Sequence, residues 1–248
     1  MSIYQAYSGS RSRGASISRR AFLAGAVASL AGCTAAGRRL APEPATYAPP
    51  PVQPDPFYAA MYAARPNERF PIPAVDVTRV DHRFLRQEVS YATGEEPGTI
   101  VVDTSERFLY FVREGGRALR YGVGVGREGL SWSGRAQIQM KREWPRWTPT
   151  HNMIRRDPAL AKYAGGMEPG LDNPLGARAL YLFENGRDTL YRLHGTNEPW
   201  SIGMAMSSGC IRLFNQDIID LYERTPLGTP VVVRDHRAPA IAAAGGLS

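Results

Sequence analysis

The chain alternates between apolar and polar positions most clearly from residue 99 onward, and this pattern predicts β-strands. Short runs of β-branched and aromatic residues are separated by turns rich in glycine, as is typical of antiparallel strands. Two of the later runs flank Asn185 and Gly186, a pair that favours a tight hairpin. The predicted strands cover residues 99–103, 107–112, 118–125, 179–183, 189–194 and 230–234.

One segment has the periodicity of a helix instead. Within residues 215–224, Ile218, Leu221 and Tyr222 fall on one face, the spacing expected of an amphipathic helix. We expect Asn215 to be its N-cap, because an asparagine side chain can accept a hydrogen bond from the first turn. The sequence therefore predicts a mainly β domain with a short helix before its last strand.

The N-terminus has the composition of an export signal. Residues 1–32 contain four arginines and no acidic residue, and the apolar stretch at 21–31 is too short to span a bilayer permanently. Arg19 and Arg20 resemble a twin-arginine address, although Sec-dependent export also fits. Residues 30–33 resemble the lipobox of bacterial lipoproteins, which predicts lipidation at Cys33. The alternative is cleavage near residues 26–28, which would give a soluble secreted protein.

The remaining chain divides into four predicted segments. Residues 33–56 are rich in proline and are expected to form an extended tether. Residues 57–97 are expected to form an approach segment with a short helix at 57–62. The predicted catalytic domain covers residues 98–234, and residues 235–248 form a predicted flexible tail.

The net charge of the chain does not point to a further function. The formal net charge is +7, and more than half of it comes from the four arginines of the export segment. The rest is too small to indicate nucleic-acid binding. No later stretch is long and apolar enough for a membrane-spanning helix.

The candidate chemistry lies at Cys210 and His194. Because the other cysteine, Cys33, lies in the export segment, Cys210 is expected to carry a thiol. A thiol with a pKa of about 8.5 is only a few per cent thiolate at neutral pH, so a nucleophilic cysteine needs a base. His194 is the nearest imidazole in the sequence. These two residues lack the third and fourth ligands of a zinc site, and a papain-like protease would place its cysteine before its histidine.

Residues 98–234 resemble the L,D-transpeptidase catalytic domains of the YkuD type, in their Gram-negative, ErfK-like branch. The resemblance is carried by residues 97–103, 121–126, 173–178, 194–197 and 207–212. Ser208 stands where many members have a second histidine, and Arg212 where many have asparagine. The resemblance implies a mixed β-sandwich with a short helix after the nucleophile loop, and no cofactor or metal.

The resemblance also implies a periplasmic enzyme that acts on peptidoglycan. Cys210 would attack a tetrapeptide stem, release D-alanine and pass the acyl group to an amine. The product would be a 3→3 cross-link or an envelope protein attached to the wall, whereas transfer to water would make the protein an L,D-carboxypeptidase-type hydrolase. Carbapenems acylate the cysteine of this family. The rival hypothesis is a non-catalytic lipoprotein that binds peptidoglycan.

The mechanism assigns further roles around these two residues. The carbonyl of Gly195 is expected to orient the imidazole of His194. Backbone N–H groups are expected to form an oxyanion hole, and these belong to Ser208, Gly209 and Cys210. The candidate substrate-binding residues are Arg192, Trp200, Ser207 and Arg212. The alternative for both arginines is an ion pair with a local acid, and for Ser207 and Trp200 a structural role.

Overall fold

The structure is a computed structural model that describes residues 53–126, 132–207 and 209–234, with only the backbone of Ser207. The predicted export signal, Cys33, most of the tether, Ser208 and the predicted tail lie outside these residues. No helix within the described ranges has the length and apolar character needed to cross a membrane. The same residues contain no group of three or more histidine, cysteine or acidic side chains that could hold a metal ion.

Strands account for most of the regular structure. In chain order they are β1 (Gln87–Ser90), β2 (Ile100–Asp103), β3 (Phe108–Arg113), β4 (Arg117–Gly122), β5 (Val125–Gly126), β6 (Gly134–Glu143), β7 (Arg178–Glu184), β8 (Arg187–His194), β9 (Ala205–Ser207), β10 (Ile211–Arg212) and β11 (Pro230–Arg234). The α-helices are α1 (Pro56–Met61), α2 (His151–Arg156) and α3 (Asn215–Arg224). Short 3₁₀ helices occupy Val77–Arg79, His82–Phe84, Pro158–Tyr163 and Pro199–Ser201.

Nine strands form one sheet in the order β1-β4-β3-β2-β11-β6-β7-β8-β10, and β5 pairs with β9. The sheet is mixed, because β2 runs parallel to β11 and β8 parallel to β10. Gly124 and Arg212 exchange two backbone hydrogen bonds of 2.9 and 2.8 Å. Since Gly124 follows β4 and Arg212 lies in β10, near opposite edges of the sheet, the sheet must curve over on itself. The predicted mixed β-sandwich is confirmed.

The main core fills the inside of this curved sheet. It contains Ile100, Leu109, Ile138, Leu182 and Leu193 from five different strands, all fully buried. The apolar face of α3 closes it: Ile218 and Leu221 belong to the core, and Tyr222 packs against it. The helix after the nucleophile loop is therefore present, and its burial explains the predicted periodicity.

The predicted cap of α3 is wrong. The N-cap residue is Phe214, which makes no side-chain capping bond, and Asn215 is the first residue of the helix. The side chain of Asn215 points instead to two other segments. Its Oδ1 accepts a hydrogen bond from the Ala177 N–H (3.0 Å), and its Nδ2 donates to the Thr196 carbonyl (2.9 Å). Two tertiary contacts have replaced the local cap.

Residues 57–97 pack into the same compact unit as the strands that follow them. Tyr62, Phe84 and Leu85 form a second apolar cluster with Phe214, next to α3. The hydroxyl of Tyr62 donates to Asp217 in α3 at 2.9 Å. The predicted approach segment therefore covers the helix that follows the nucleophile loop, and the predicted short helix within it is α1.

Candidate active site

His194 ends β8 and is almost completely buried, with 4% of its surface exposed. The neighbouring core residue Leu193 points inward, so His194, the next residue along the strand, faces the other side of the sheet. Its Nδ1 lies 2.6 Å from the carbonyl oxygen of Gly195. This hydrogen bond assigns the proton to Nδ1 and leaves the lone pair on Nε2, the form of imidazole that can accept a proton.

Cys210 lies directly before β10, the strand that pairs with β8. The register places Ile211 beside Leu193 and Arg212 beside His194. The thiol sulfur is 3.8 Å from the Leu190 carbonyl oxygen and accepts a hydrogen bond from the Arg192 N–H. Cys210 is partly exposed. The candidate base therefore ends β8, the candidate nucleophile directly precedes the strand that pairs with β8, and the sulfur contacts β8.

Gly209, which precedes the thiol, has a φ of 132° and is buried. This backbone conformation is strained for any residue with a Cβ, which explains the glycine. Ser208 lies outside the described residues. Of the predicted oxyanion donors, the structure therefore describes Gly209 and Cys210.

Both candidate substrate-binding arginines are paired with local acids. Arg192 makes two hydrogen bonds to Asp188, at 2.7 and 2.8 Å. Arg212 lies 2.6 Å from Glu198. Both arginine side chains are mostly buried, with 14% of Arg192 and 17% of Arg212 exposed. Each guanidinium group is thus held in place by an ion pair with a local acid.

The remaining candidates lie in the segment between β8 and β10, which contains a 3₁₀ helix and β9. Trp200 belongs to the 3₁₀ helix Pro199–Ser201 and is 56% exposed. Ser207 ends β9, which pairs with β5. Met204 and Met206 are also exposed and precede Cys210 closely in the chain. The sequence gives no sign of these exposed apolar side chains, because two separate methionines look unremarkable in it.

Burial and charge set the protonation of the pair. Burial is the main reason that the pKa of His194 falls from 6.5 to about 3, and the charges of Arg212 and Arg192 lower it further against the opposing effect of the Gly195 hydrogen bond. Burial also raises the pKa of the Cys210 thiol, although the Arg192 N–H and the charges of Arg192 and Arg212 oppose this rise. At neutral pH the resting pair is therefore a thiol and a neutral imidazole.

Glycines allow the close packing next to His194. A Cβ on Gly195 would overlap the Oδ1 of Asn215, and a Cβ on Gly176 would overlap the same atom. Gly176 also has a φ of 60°. The loop that begins with Gly195 is therefore held against the start of β7 and the first residue of α3. Neither the position nor the residue type of Asn215 indicated this contact, because an asparagine at a helix start usually caps the helix.

Comparisons with known proteins show which family the sequence resembles. Residues 97–233 match the sequence profile of the L,D-transpeptidase catalytic domain family, YkuD. Probable L,D-transpeptidase YbiS of Escherichia coli strain K12 is 36% identical over 147 residues, which cover 57% of this chain and 46% of YbiS. Probable L,D-transpeptidase ErfK/SrfK of Salmonella typhimurium is 35% identical over 216 residues, covering 80% of this chain and 66% of that protein.

A solved structure from Brucella melitensis, described as a probable carnitine operon oxidoreductase caia, is 51% identical. It covers 64% of this chain and 99% of its own, with a TM-score of 0.44. This chain spans between about half and two thirds of the length of the two curated relatives named above. The profile match covers more than half of the chain and includes both His194 and Cys210. The chain therefore belongs to the L,D-transpeptidase catalytic domain family of the YkuD type.

Proposed function

We propose that this protein is a peptidoglycan L,D-transpeptidase with Cys210 as nucleophile and His194 as general base. The observation that carries the proposal is the 2.6 Å contact between His194 Nδ1 and the Gly195 carbonyl. It orients an imidazole whose other nitrogen can accept a proton, on the strand that the Cys210 sulfur contacts. Family membership supplies the reaction class.

The first half-reaction forms a thioester. The Cys210 proton passes to Nε2 of His194 while the sulfur attacks the carbonyl carbon of the third stem residue. The C–N bond to the terminal D-alanine then breaks, and the imidazolium returns its proton to the departing amine. In the second half-reaction an acceptor amine attacks the thioester, forms an amide and releases the thiol. Backbone N–H groups of Ser208, Gly209 and Cys210 would stabilise the oxyanion in both steps.

In the resting site Cys210 keeps its proton, and we propose that the thiolate forms only when His194 accepts that proton during the reaction. The pKa of the thiol is raised by burial, but the positive charges of Arg192 and Arg212 act in the opposite direction. Asp188 and Glu198 already pair with these arginines. We therefore propose that Arg192 and Arg212 act mainly by their positive charge near the thiol, rather than by binding substrate directly. Ser207 and Trp200 are proposed to contact the substrate from the loop before Cys210.

We propose a periplasmic location with a lipid anchor at Cys33. The proline-rich segment from 34 to 56 would then act as a tether. At about 3.1 Å per residue in polyproline II, it would reach roughly 70 Å from the membrane. That distance would allow the catalytic domain to reach peptidoglycan stems, and the acceptor amine would belong to another stem or to an envelope protein.

The decisive experiment compares the unaltered protein with Cys210→Ala on a purified tetrapeptide stem, with and without an amine acceptor. We expect D-alanine release and cross-linked product from the unaltered protein, and loss of both by at least about a hundredfold in Cys210→Ala, since covalent catalysis is removed. Cys33→Ser is the matched control and should retain turnover. Mass spectrometry should show a carbapenem adduct on the peptide containing Cys210.

Each other outcome has a definite meaning. Turnover that survives in Cys210→Ala would refute the nucleophile. An unaltered protein that binds peptidoglycan but releases no D-alanine would support the non-catalytic alternative. D-alanine release without cross-linked product, even at high acceptor concentration, would identify a hydrolase.

A further inference from the structure

Asn215 links the chain segments that follow the two proposed catalytic residues. It follows β10 closely and is the first residue of α3. Its Nδ2 donates to the carbonyl of Thr196, two residues after His194, at 2.9 Å. Its Oδ1 accepts from the Ala177 N–H at 3.0 Å, just before β7. One amide group thus joins the chain that follows Cys210 to the chain that follows His194.

The peptide held by these bonds includes the carbonyl that orients the imidazole. The Gly195 N–H donates to the Arg178 carbonyl at 3.1 Å, and the Thr196 carbonyl accepts from Asn215. The Gly195 carbonyl lies between these two anchors and contacts His194 Nδ1 at 2.6 Å. Rotation of that peptide would carry the carbonyl away from the imidazole, and both anchors oppose the rotation.

An asparagine fits this place better than related side chains. The site needs one acceptor and one donor at the same short reach, which an amide supplies and a carboxylate does not. The space around Oδ1 is so narrow that glycine occurs at both 176 and 195, where a Cβ would overlap the oxygen. A longer glutamine would not fit between these two backbones without displacing them.

We propose that Asn215 is a positioning residue of the proposed transpeptidase reaction and acts on His194 through the Gly195 carbonyl. The proposal rests on the proposed function for its meaning in catalysis. Its physical content is the orientation and tautomer of the imidazole, which are measurable without any substrate. The proposal gives Asn215 no direct contact with the reacting atoms, so its effect on them passes through the Gly195 carbonyl.

The test uses Asn215→Ala and Asn215→Asp in the full chain, with Gln216→Ala as the matched control. Gln216 is the next residue, and its side-chain amide also donates to backbone carbonyls, including that of Pro73 at 3.0 Å. Those contacts lead to the N-terminal segment and away from His194. Asn215→Asp is isosteric and keeps the acceptor for Ala177, so it tests the Thr196 bond in a protein that should fold.

Two readouts separate positioning from stability. The first is the rate of alkylation of Cys210 by iodoacetamide from pH 6 to 9, followed on the peptide containing Cys210. The second is the ¹⁵N spectrum of the His194 imidazole, which reports which nitrogen carries the proton. Because general-base assistance contributes about 10²–10⁴-fold in enzymes, we expect both Asn215 variants to alkylate at least about tenfold more slowly at pH 7. We also expect them to show mixed tautomers.

Gln216→Ala should lower the melting temperature and leave both readouts as in the unaltered protein. The proposal is overturned if the Asn215 variants keep the alkylation rate and the Nδ1-protonated tautomer, or if Gln216→Ala changes both readouts equally. Failure of the proposed function would look different. The unaltered protein would then release no D-alanine from a tetrapeptide stem, while the variants still differed from it in alkylation and tautomer.

Discussion

At the residue scale, the burial of His194 determines how the stability of the protein should respond to acid. Its pKa falls from 6.5 to about 3 because burial disfavours the imidazolium. Between these values the unfolded chain binds a proton that the folded protein does not. The contribution of the neutral His194 imidazole to stability is therefore fully present above pH 6.5 and is lost as the pH falls toward 3.

We predict that the stability advantage of the unaltered protein over His194→Gln shrinks as the pH falls from 6.5 toward 3. The slope should approach, and not exceed, about 1.4 kcal/mol per pH unit. Urea unfolding at several pH values measures this difference. A difference that stays constant with pH would show that the imidazole is not held neutral.

Comparison with a variant is necessary because Asp217 acts in the opposite direction. Burial raises the pKa of this carboxyl group in α3 from 3.8 to about 7. Its contribution is present below pH 3.8 and is lost as the pH rises toward 7. In the pH dependence of either protein alone, the effect of Asp217 would obscure that of His194. Because both proteins contain Asp217, its effect cancels in the difference between their free energies of unfolding.

At the element scale, α3 depends on a contact at its C-terminal end. Lys141 of β6 donates from Nζ to the carbonyls of Tyr222 and Thr225, at 2.7 and 2.6 Å. The same ammonium lies 4.0 Å from the centre of the Tyr222 ring. A cation placed on the last carbonyls of a helix offsets the negative end of its dipole.

We predict that Lys141→Met lowers the free energy of unfolding by about 1–3 kcal/mol, because two carbonyls lose a charged donor. Lys162→Met is the matched control. Lys162 is exposed on a 3₁₀ helix, so its replacement should change the free energy by less than about 0.5 kcal/mol. Urea unfolding of both variants checks the prediction, and equal effects would contradict the capping role.

The apolar pattern of the sequence predicts most neighbouring strands of the sheet but not β6, which contains Lys141. The strands predicted at 99–103, 107–112, 179–183, 189–194 and 230–234 correspond to β2, β3, β7, β8 and β11. β6 was not predicted, although Ala136 and Ile138 alternate with polar residues along it. Its apolar residues are few and separated by glutamines, so the strand is visible mainly through its pairing with β7 and β11.

At the scale of the whole molecule, the N-terminal segment covers one side of α3. Tyr62 donates to Asp217, and its hydroxyl oxygen accepts from the Arg86 N–H at 2.7 Å. Glu68 receives two hydrogen bonds from Arg178 at the start of β7, at 2.8 and 3.0 Å. Tyr62 and Glu68 precede their partners Asp217 and Arg178 by more than a hundred residues, and both lie outside the match to the family profile.

We predict that a protein of residues 97–248 does not fold cooperatively, whereas one of residues 53–248 does. The shorter protein exposes the Phe214 side of α3 and removes the hydroxyl that pairs with the buried Asp217. Tyr62→Phe in the longer protein serves as a graded control and should reduce the free energy of unfolding by about 1–3 kcal/mol. Circular dichroism during urea unfolding checks all three, and a cooperative transition in the shorter protein would contradict the prediction.

The sequence by itself determined the fold class, the family and the identity of the two candidate reactive residues. Alternating apolar positions favour strands, because successive side chains of a strand point to opposite faces of the sheet. Cys210 and His194 are candidates because of their functional groups, a thiol and an imidazole, which the sequence displays directly. The short helix after Cys210 was equally legible, because one apolar face recurs at helical spacing.

Tertiary structure alone decided which groups surround those residues. The pairing of Arg192 with Asp188, the burial of His194 and the two bonds of Asn215 all depend on which strands lie side by side. The same holds for the N-terminal segment, whose partners in α3 and β7 follow it by more than a hundred residues. Local sequence fixes the conformations that a segment prefers, whereas pKa values and side-chain partners depend on distances through space that the folded chain creates.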